Sequence, residues 1–203
     1  MKKLLIATHN IGKFKEYQII FGAFLNGLKV ELVALKDLGI KEKVEESGNS
    51  YKENAVLKAK FYSQFSDLPI LADDSGLEIE ALGGWPGVKS RRANGYEASD
   101  KKLIEIVLNR LEGIPFKERV AKYKVVIALA YKDKIYTYEG KRRGFISENR
   151  QRVIWRGFPF DSIFYLPEKK KVFVKLTREE KAEFSHRTIA LKKALPILKE
   201  ILA

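Results

Sequence analysis

An α/β fold on a mixed β-sheet is predicted by three features of the sequence. Short apolar runs of strand length recur along it, capped stretches with helical spacing lie between them, and the two kinds do not alternate strictly. The 203 residues, 45% of them apolar, suffice for a sizeable core in one domain or two joined lobes. No stretch has linker, repeat or low-complexity composition, so residues 1–203 are read as a single domain.

Leu4 to Ala7 reads as the first strand, Phe14 to about Phe24 as a helix, and Val30 to Leu35 as an alternating second strand. Ser50-Tyr51-Lys52-Glu53 has capping-box spacing, and Leu57, Phe61 and Phe65 follow at helical intervals. Leu68 to Ala72 reads as a buried strand with Asp73-Asp74 at its tip and Ser75-Gly76 as a sharp exit turn. Leu77, Ile79 and Ala81 alternate with Glu78 and Glu80 as a half-exposed strand that ends at Gly83-Gly84-Trp85-Pro86-Gly87. Ser99 or Asp100 caps a helix carrying Leu103, Ile104, Val107, Leu108 and Leu111. Arg119 to Tyr131 and Ile135 to Glu139 form a hairpin about Lys132-Asp133-Lys134. A strand at Val172 to Leu176 precedes a capping box at Thr177 to Glu180. A helix from about Arg187 closes the chain, with Pro196 expected to kink or divide it.

Composition excludes several chemistries. The absence of cysteine removes disulfides, thiolate metal sites and a thiol nucleophile. His9 and His186 are the only histidines, which excludes a multi-histidine metal centre, and no nucleophile elbow is present. No run approaches the roughly 18 apolar residues of a membrane span. Leu4 to Ala7 is too short for a secretory signal, so a cytoplasmic location is expected. The net charge of +13 suits nucleic acid or a small polyanion such as a nucleoside triphosphate. Basic residues are scattered, with short clusters only at Lys141-Arg142-Arg143 and Lys169-Lys170-Lys171. A non-catalytic basic nucleic-acid-binding module is the alternative from a different class.

Several segments carry candidate chemistry. Thr8-His9-Asn10-Ile11-Gly12-Lys13 joins a strand to a helix with Gly and Lys at the bend, which is a phosphate-binding design without P-loop spacing. The same residues would serve as a turn with a surface lysine. Asp73 and Asp74 are adjacent in an extended chain and point to opposite faces, so their jobs differ. Glu45-Glu46-Ser47-Gly48 offers hard oxygen ligands of the kind magnesium takes. Lys58 lies four residues after Asn54, on the same helix face. Ser185-His186-Arg187 starts the last helix shortly after Lys181, and Gly157 to Phe164 mixes aromatics with one acid, as a base-stacking wall or packed core would.

Taken in order, these segments resemble the inosine triphosphate pyrophosphatase family, which hydrolyses deaminated purine nucleoside triphosphates to monophosphate and diphosphate. The blocks are Ala7 to Lys13, Ser50 to Ala59, Ala72 to Glu78, Ala81 to Val88, Phe158 to Phe164, and Lys181 to Leu191. The resemblance implies an ITPase-like, elongated two-lobed α/β fold with a central active-site cleft, magnesium (Mg2+) dependence and a homodimer. It implies that Thr8, His9, Asn10, Ile11, Gly12 and Lys13 bind the triphosphate, that Lys58 reaches it, and that Ser75 touches substrate. Asp74 would be the catalytic carboxylate, as base or metal ligand, with Glu45 helping to hold the metal and Asp73 organising metal or loop. Phe158, Pro159, Phe160, Asp161, Lys181, His186 and Arg187 would surround the base, with Arg187 directed at O6 of the purine. The family usually has Phe-Gly-Tyr-Asp-Pro where this chain has Phe158-Pro159-Phe160-Asp161-Ser162. Pro159 removes an N–H, and Phe160 keeps a ring for stacking but loses the hydroxyl. A Maf-type nucleotide pyrophosphatase, alike in architecture and reaction, is the near alternative, and the Ser185-His186-Arg187 block argues against it.

Overall fold

The apolar runs pair into one seven-stranded mixed sheet, seen in a computed structural model that describes residues 2–25, 27–92 and 98–203. The strands are β1 Lys2–Ile6, β2 Val30–Ala34, β3 Ile70–Ile79, β4 Val120–Tyr131, β5 Lys134–Ile146, β6 Phe164–Leu166 and β7 Lys171–Val172. Their order is β2-β1-β3-β4-β5-β6-β7. β1 runs parallel to β2 and β3, and all remaining pairs are antiparallel. The helices are α1 Ile11–Phe24, α2 Tyr51–Tyr62, α3 Asp100–Arg110, α4 Arg178–Phe184 and α5 His186–Leu202. Among the described residues, no helix is long and apolar enough to cross a membrane.

Strand alternation sorts the core. Ile70, Ala72, Val126 and Ala128 face Tyr51, Ala55 and Ala59 of α2. Leu71, Val125, Ile127 and Leu129 face the other way, onto Tyr17 and Ile20 of α1 and Leu191 and Leu198 of α5. Farther along the same strands, Leu77, Ile79 and Tyr123 join a third cluster with Leu103, Ile104 and Val107 of α3 and with Phe164 and Phe173. β3 therefore threads from the first two cores into the third, and Asp73 to Gly76 is the stretch between them.

That continuity corrects the expectation of a strand tip. β4 pairs with β3 over its whole length, from Ile70 opposite Ala130 to Ile79 opposite Ala121, so Ser75-Gly76 is strand and not an exit turn. Gly76 serves close approach instead: a Cβ there would collide with the Gly87 carbonyl and lie 2.6 Å from Ser90 Oγ. The separate strand expected at Leu77 is the second half of β3.

Other differences have local causes. α1 starts at Ile11 because Asn10 caps it, placing Gly12 and Lys13 in its first turn. The buried face of α2 is Tyr51, Asn54, Ala55, Lys58, Ala59 and Tyr62, while Leu57 is exposed and Phe65 is exposed beyond the helix end. The apolar stripe misled because two polar residues take core positions. Ser50 caps Glu53 N–H, but the Glu53 carboxylate accepts from Asn49 rather than Ser50, so that capping box is incomplete. The box at Thr177 and Glu180 closes fully. β5 runs on to Ile146, Phe164–Leu166 is an additional strand, and Phe173–Lys175 is a 3-10 turn where strand was expected. Pro196 does not divide α5, because the buried residues Ala190, Leu191, Ala194 and Leu198 hold both sides of it against the sheet.

Gly76→Ala is expected to cost about 1–3 kcal/mol through overpacking against backbone that cannot retreat. Urea unfolding measures this; an unchanged midpoint would contradict the tight seating of Gly87–Ser90 on β3.

Candidate active site

At the junction of the cores lies a cavity of about 850 Å³. Strand alternation sends Asp73 to the α1/α5 side and Asp74 to the α2 side, and both carboxylates are buried, with 3% and 4% of their surface exposed.

Asp73 is an anchor. Its Oδ2 accepts from Lys13 Nζ at 3.0 Å and from Arg187 Nη2 at 3.1 Å. Arg187 Nη2 also donates to Ser75 Oγ at 2.9 Å, and Nη1 pairs with Glu16 at 3.3 Å. Glu16 accepts from Ser185 Oγ at 2.5 Å, and Ser185 in turn caps α5 by accepting from Arg187 N. Lys181 continues the network, 3.6 Å from Glu16 and 2.6 Å from Asp161, whose other oxygen accepts from Tyr123 OH. His186 stacks on Tyr123 with centroids 5.0 Å apart, and its Nδ1 is buried without a hydrogen-bond partner among the described residues.

Asp74 is held more lightly. Asn54 Nδ2 donates to Oδ2 at 3.1 Å, the Ser75 N–H donates to Oδ1 at 3.0 Å, and Lys58 Nζ is 3.4 Å from Oδ1. Lys58 is shared, donating to the Asp73 carbonyl and pairing with Glu46 at 2.9 Å. Asn54 Oδ1 accepts from Gly48 N–H, which fixes the acidic loop over the site.

These surroundings split the two acids electrostatically. Burial disfavours the Asp73 anion, yet Lys13 and Arg187 overcome that and hold its pKa far below the usual carboxylate range. For Asp74 burial wins over Lys58 and Lys13, so its pKa is raised. Burial lowers Lys13 despite the pull of Asp73, whereas in Lys58 the pull of Asp74 and Glu46 outweighs burial and raises it. Burial, reinforced by Arg187, keeps His186 neutral. One acid is therefore held ionised, and its neighbour binds a proton more readily than an ordinary carboxylate.

The loop over residues 8–13 and the aromatic wall at Phe158 are built against each other. Asn10 Oδ1 accepts the Lys13 N–H while its Nδ2 donates to the Gly157 carbonyl at 3.3 Å. The N–H groups of Ile11 and Gly12 have no acceptor among the described residues, leaving two donors at the helix N-terminus. A Cβ on Gly12 would lie 2.5 Å from the Phe158 ring, so only glycine lets the wall close on the helix. Phe158 faces Lys181 Nζ 3.8 Å from its centroid.

Thr8 to Lys13, Lys58, Asp74, Ser75, Phe158 to Asp161, Lys181, His186 and Arg187 all line the cavity. Glu45 does not: it is exposed and absent from the lining, and Glu46 takes the inward place because only one of two adjacent loop residues can point to Lys58. Ile11 lines the cavity while remaining 66% exposed. Phe160 is packed in the α3-side core, so Phe158 supplies the accessible ring. Ser162, where the family has proline, closes the turn by donating to the Pro159 carbonyl at 3.0 Å. The two terminal nitrogens of Arg187 are bonded to Glu16, Asp73 and Ser75, which leaves its buried Nε as the donor without a hydrogen-bond partner among the described residues. Sequence reasoning missed Glu16, Tyr123 and the structural use of Asn54. The three-residue spacing of Glu16 from Lys13, on one helix face, was the available signal.

For metal binding, Asp74 and Glu46 converge on one ammonium, so two hard carboxylates already share a cation position. No group of three His, Cys, Asp or Glu residues able to hold a metal occurs among the described residues. Two carboxylates completed by water and phosphate oxygens suit magnesium and not zinc.

The Glu16 carboxyl is held at about 2, below its ordinary 4.5: burial opposes this, and Lys181 and Arg187 prevail. Its stabilisation is full above pH 4.5 and disappears as pH falls towards 2. Glu16→Gln is expected to cost about 3 kcal/mol at pH 7 by breaking a buried ion pair. Urea titrations should show that deficit shrinking as the solution is acidified; a deficit independent of pH would contradict the pairing.

Comparison with known proteins finds relatives over nearly the whole chain. Residues 4–197 match the Ham1 family. The dITP/XTP pyrophosphatase of Thermoanaerobacter pseudethanolicus is 42% identical over 195 residues, covering 94% of this chain and 93% of the relative. That of Bacillus subtilis is 38% identical over 98% of both chains. Among solved structures, a HAM1 protein from Coxiella burnetii superposes with a TM-score of 0.82 at 33% identity, covering 98% of this chain and 100% of the other. The chain belongs to the Ham1 family.

Proposed function

We propose that the protein hydrolyses deaminated purine nucleoside triphosphates, such as dITP, ITP and XTP, to the monophosphate and diphosphate. The observation that carries this reading is the pair of adjacent carboxylates with opposite pKa displacements, set in a cavity with open helix N-terminal donors at one wall and an aromatic ring at the other. The relatives' names supply the substrate class.

The triphosphate would lie on the Ile11 and Gly12 N–H groups with Lys13 and Lys58 on its flanks. Asp74 would orient a water in line with the α-phosphorus and accept its proton as the anhydride bond to the diphosphate breaks. Its raised pKa makes it a better acceptor than an ordinary carboxylate. Asp73 stays ionised and keeps Lys13 and Arg187 in place. Asp74 and Glu46 are the residues that would hold magnesium, which when bound polarises phosphate oxygens and neutralises developing charge. Phe158 would stack on the base, and the neutral His186, with Nδ1 unpartnered, would read its edge. The cytoplasmic location and homodimer that the resemblance implies belong to this reading.

Diphosphate release from ITP, XTP, GTP and ATP, with and without magnesium, tests the proposal. ITP and XTP should be favoured over ATP by up to about 10⁴ if the base edge is read by hydrogen bonds. Equal rates for all four would refute that selectivity. Asp74→Asn should lower turnover at least about 10²-fold, and near-normal turnover would remove Asp74 from the catalytic role.

A further inference from the structure

The charges around the cavity form two tiers. Inside, Lys13, Lys58, Lys181 and Arg187 are each paired with carboxylates. The acids in those pairs are Asp73, Asp74, Glu46, Asp161 and Glu16, so five formal negative charges face four positive ones. The inner tier has no surplus with which to attract a polyanion.

The surplus sits at the mouth. Lys15 of α1, Lys43 of the loop before α2, Arg156 and Arg178 of α4 line the same cavity from four separate segments. All four are exposed, and none pairs with a carboxylate among the described residues. On the sheet, by contrast, the half-buried Lys122 and Lys124 and the exposed Lys141 are bonded to Glu78 or Glu139.

Arg156 is the most firmly presented. It lies in a tight turn closed by Phe158 N–H on the Trp155 carbonyl at 2.8 Å, with Gly157 at φ +82° supplying the left-handed position. Both polar groups of Gly157 are fastened, its carbonyl to Asn10 Nδ2 and its N–H to Asp100 Oδ2 at 2.9 Å. Because Asn10 also caps α1, this turn brings Arg156 to the helix end whose N–H groups are open.

We infer that Lys15, Lys43, Arg156 and Arg178 form an outer anion-capture tier that draws in the triphosphate tail and orients it before it reaches Lys13 and Lys58. The inference rests on the nucleotide reading above for its natural ligand. Exposed charges act through a screened field, so their effect belongs to association and fades with salt.

The test uses inorganic triphosphate as probe, measured by titration calorimetry on the wild type and on the combined variant Lys15→Ala, Lys43→Ala, Arg156→Ala. Binding at low ionic strength should weaken at least about tenfold in the variant, and the gap should narrow to about twofold near 0.5 M salt. With ITP, kcat/KM should fall in parallel while kcat changes by less than about twofold, and carrying Arg156→Lys in place of Arg156→Ala should recover part of the loss. Unchanged probe affinity, or a gap indifferent to salt, would overturn the inference. A wild type that binds the probe with this salt-dependent loss but releases no diphosphate from ITP would leave the capture tier standing and sink the proposed activity.

Discussion

A single carboxylate oxygen, Asp73 Oδ2, accepts hydrogen bonds from Lys13 on α1 and Arg187 on α5. Through it the N-terminal helix, the central strand and the C-terminal helix are fastened at one point below the cavity. The fastening requires that Asp73 remain ionised in a buried position, and Lys13 and Arg187 together oppose the burial that disfavours its charge. Arg187 brings its own requirement, a second acid, and Glu16 meets it while also binding Ser185 at the start of α5. Each buried charge thus needs the next, and the outcome is a fixed frame rather than a set of independent contacts.

The frame explains why the neighbouring acid can be reactive. Because β3 is an extended strand, Asp74 is one residue away and yet faces the opposite layer, out of reach of Arg187. Its partners are an amide, a backbone N–H and a lysine shared with Glu46 and the Asp73 carbonyl. That is enough to position a buried carboxylate but not to hold its pKa down. Strand geometry thus gives two identical residues opposite electrostatic surroundings. Lys58 and Asn54, occupying core positions of α2, show the same economy: a helix face that would otherwise be apolar carries the second half of the site.

Much of this was legible in the sequence. The opposite facing of Asp73 and Asp74 followed from their adjacency, the cap of α5 from Ser185, and the mixed sheet from the irregular succession of strands and helices. What was not legible depended on long-range pairing. Ser75-Gly76 has turn composition, and only the presence of β4 alongside shows that the strand continues. Leu57, Phe61 and Phe65 have helical spacing, but local periodicity cannot reveal that Asn54 and Lys58 are buried by their bonds to Asp74. Glu45 and Glu46 are indistinguishable until Lys58 is placed. Phe160 and Phe158 likewise exchange roles once the α3-side core claims the former.

The central claim is that the two adjacent aspartates have opposite proton affinities. Carbon-detected NMR titration of their side-chain carboxyls measures this directly in the wild-type protein. The account predicts that the Asp74 signal titrates above the ordinary aspartate value of 3.8 while Asp73 is still ionised when Asp74 is fully protonated. Titration of Asp73 at or above the midpoint of Asp74 would contradict it.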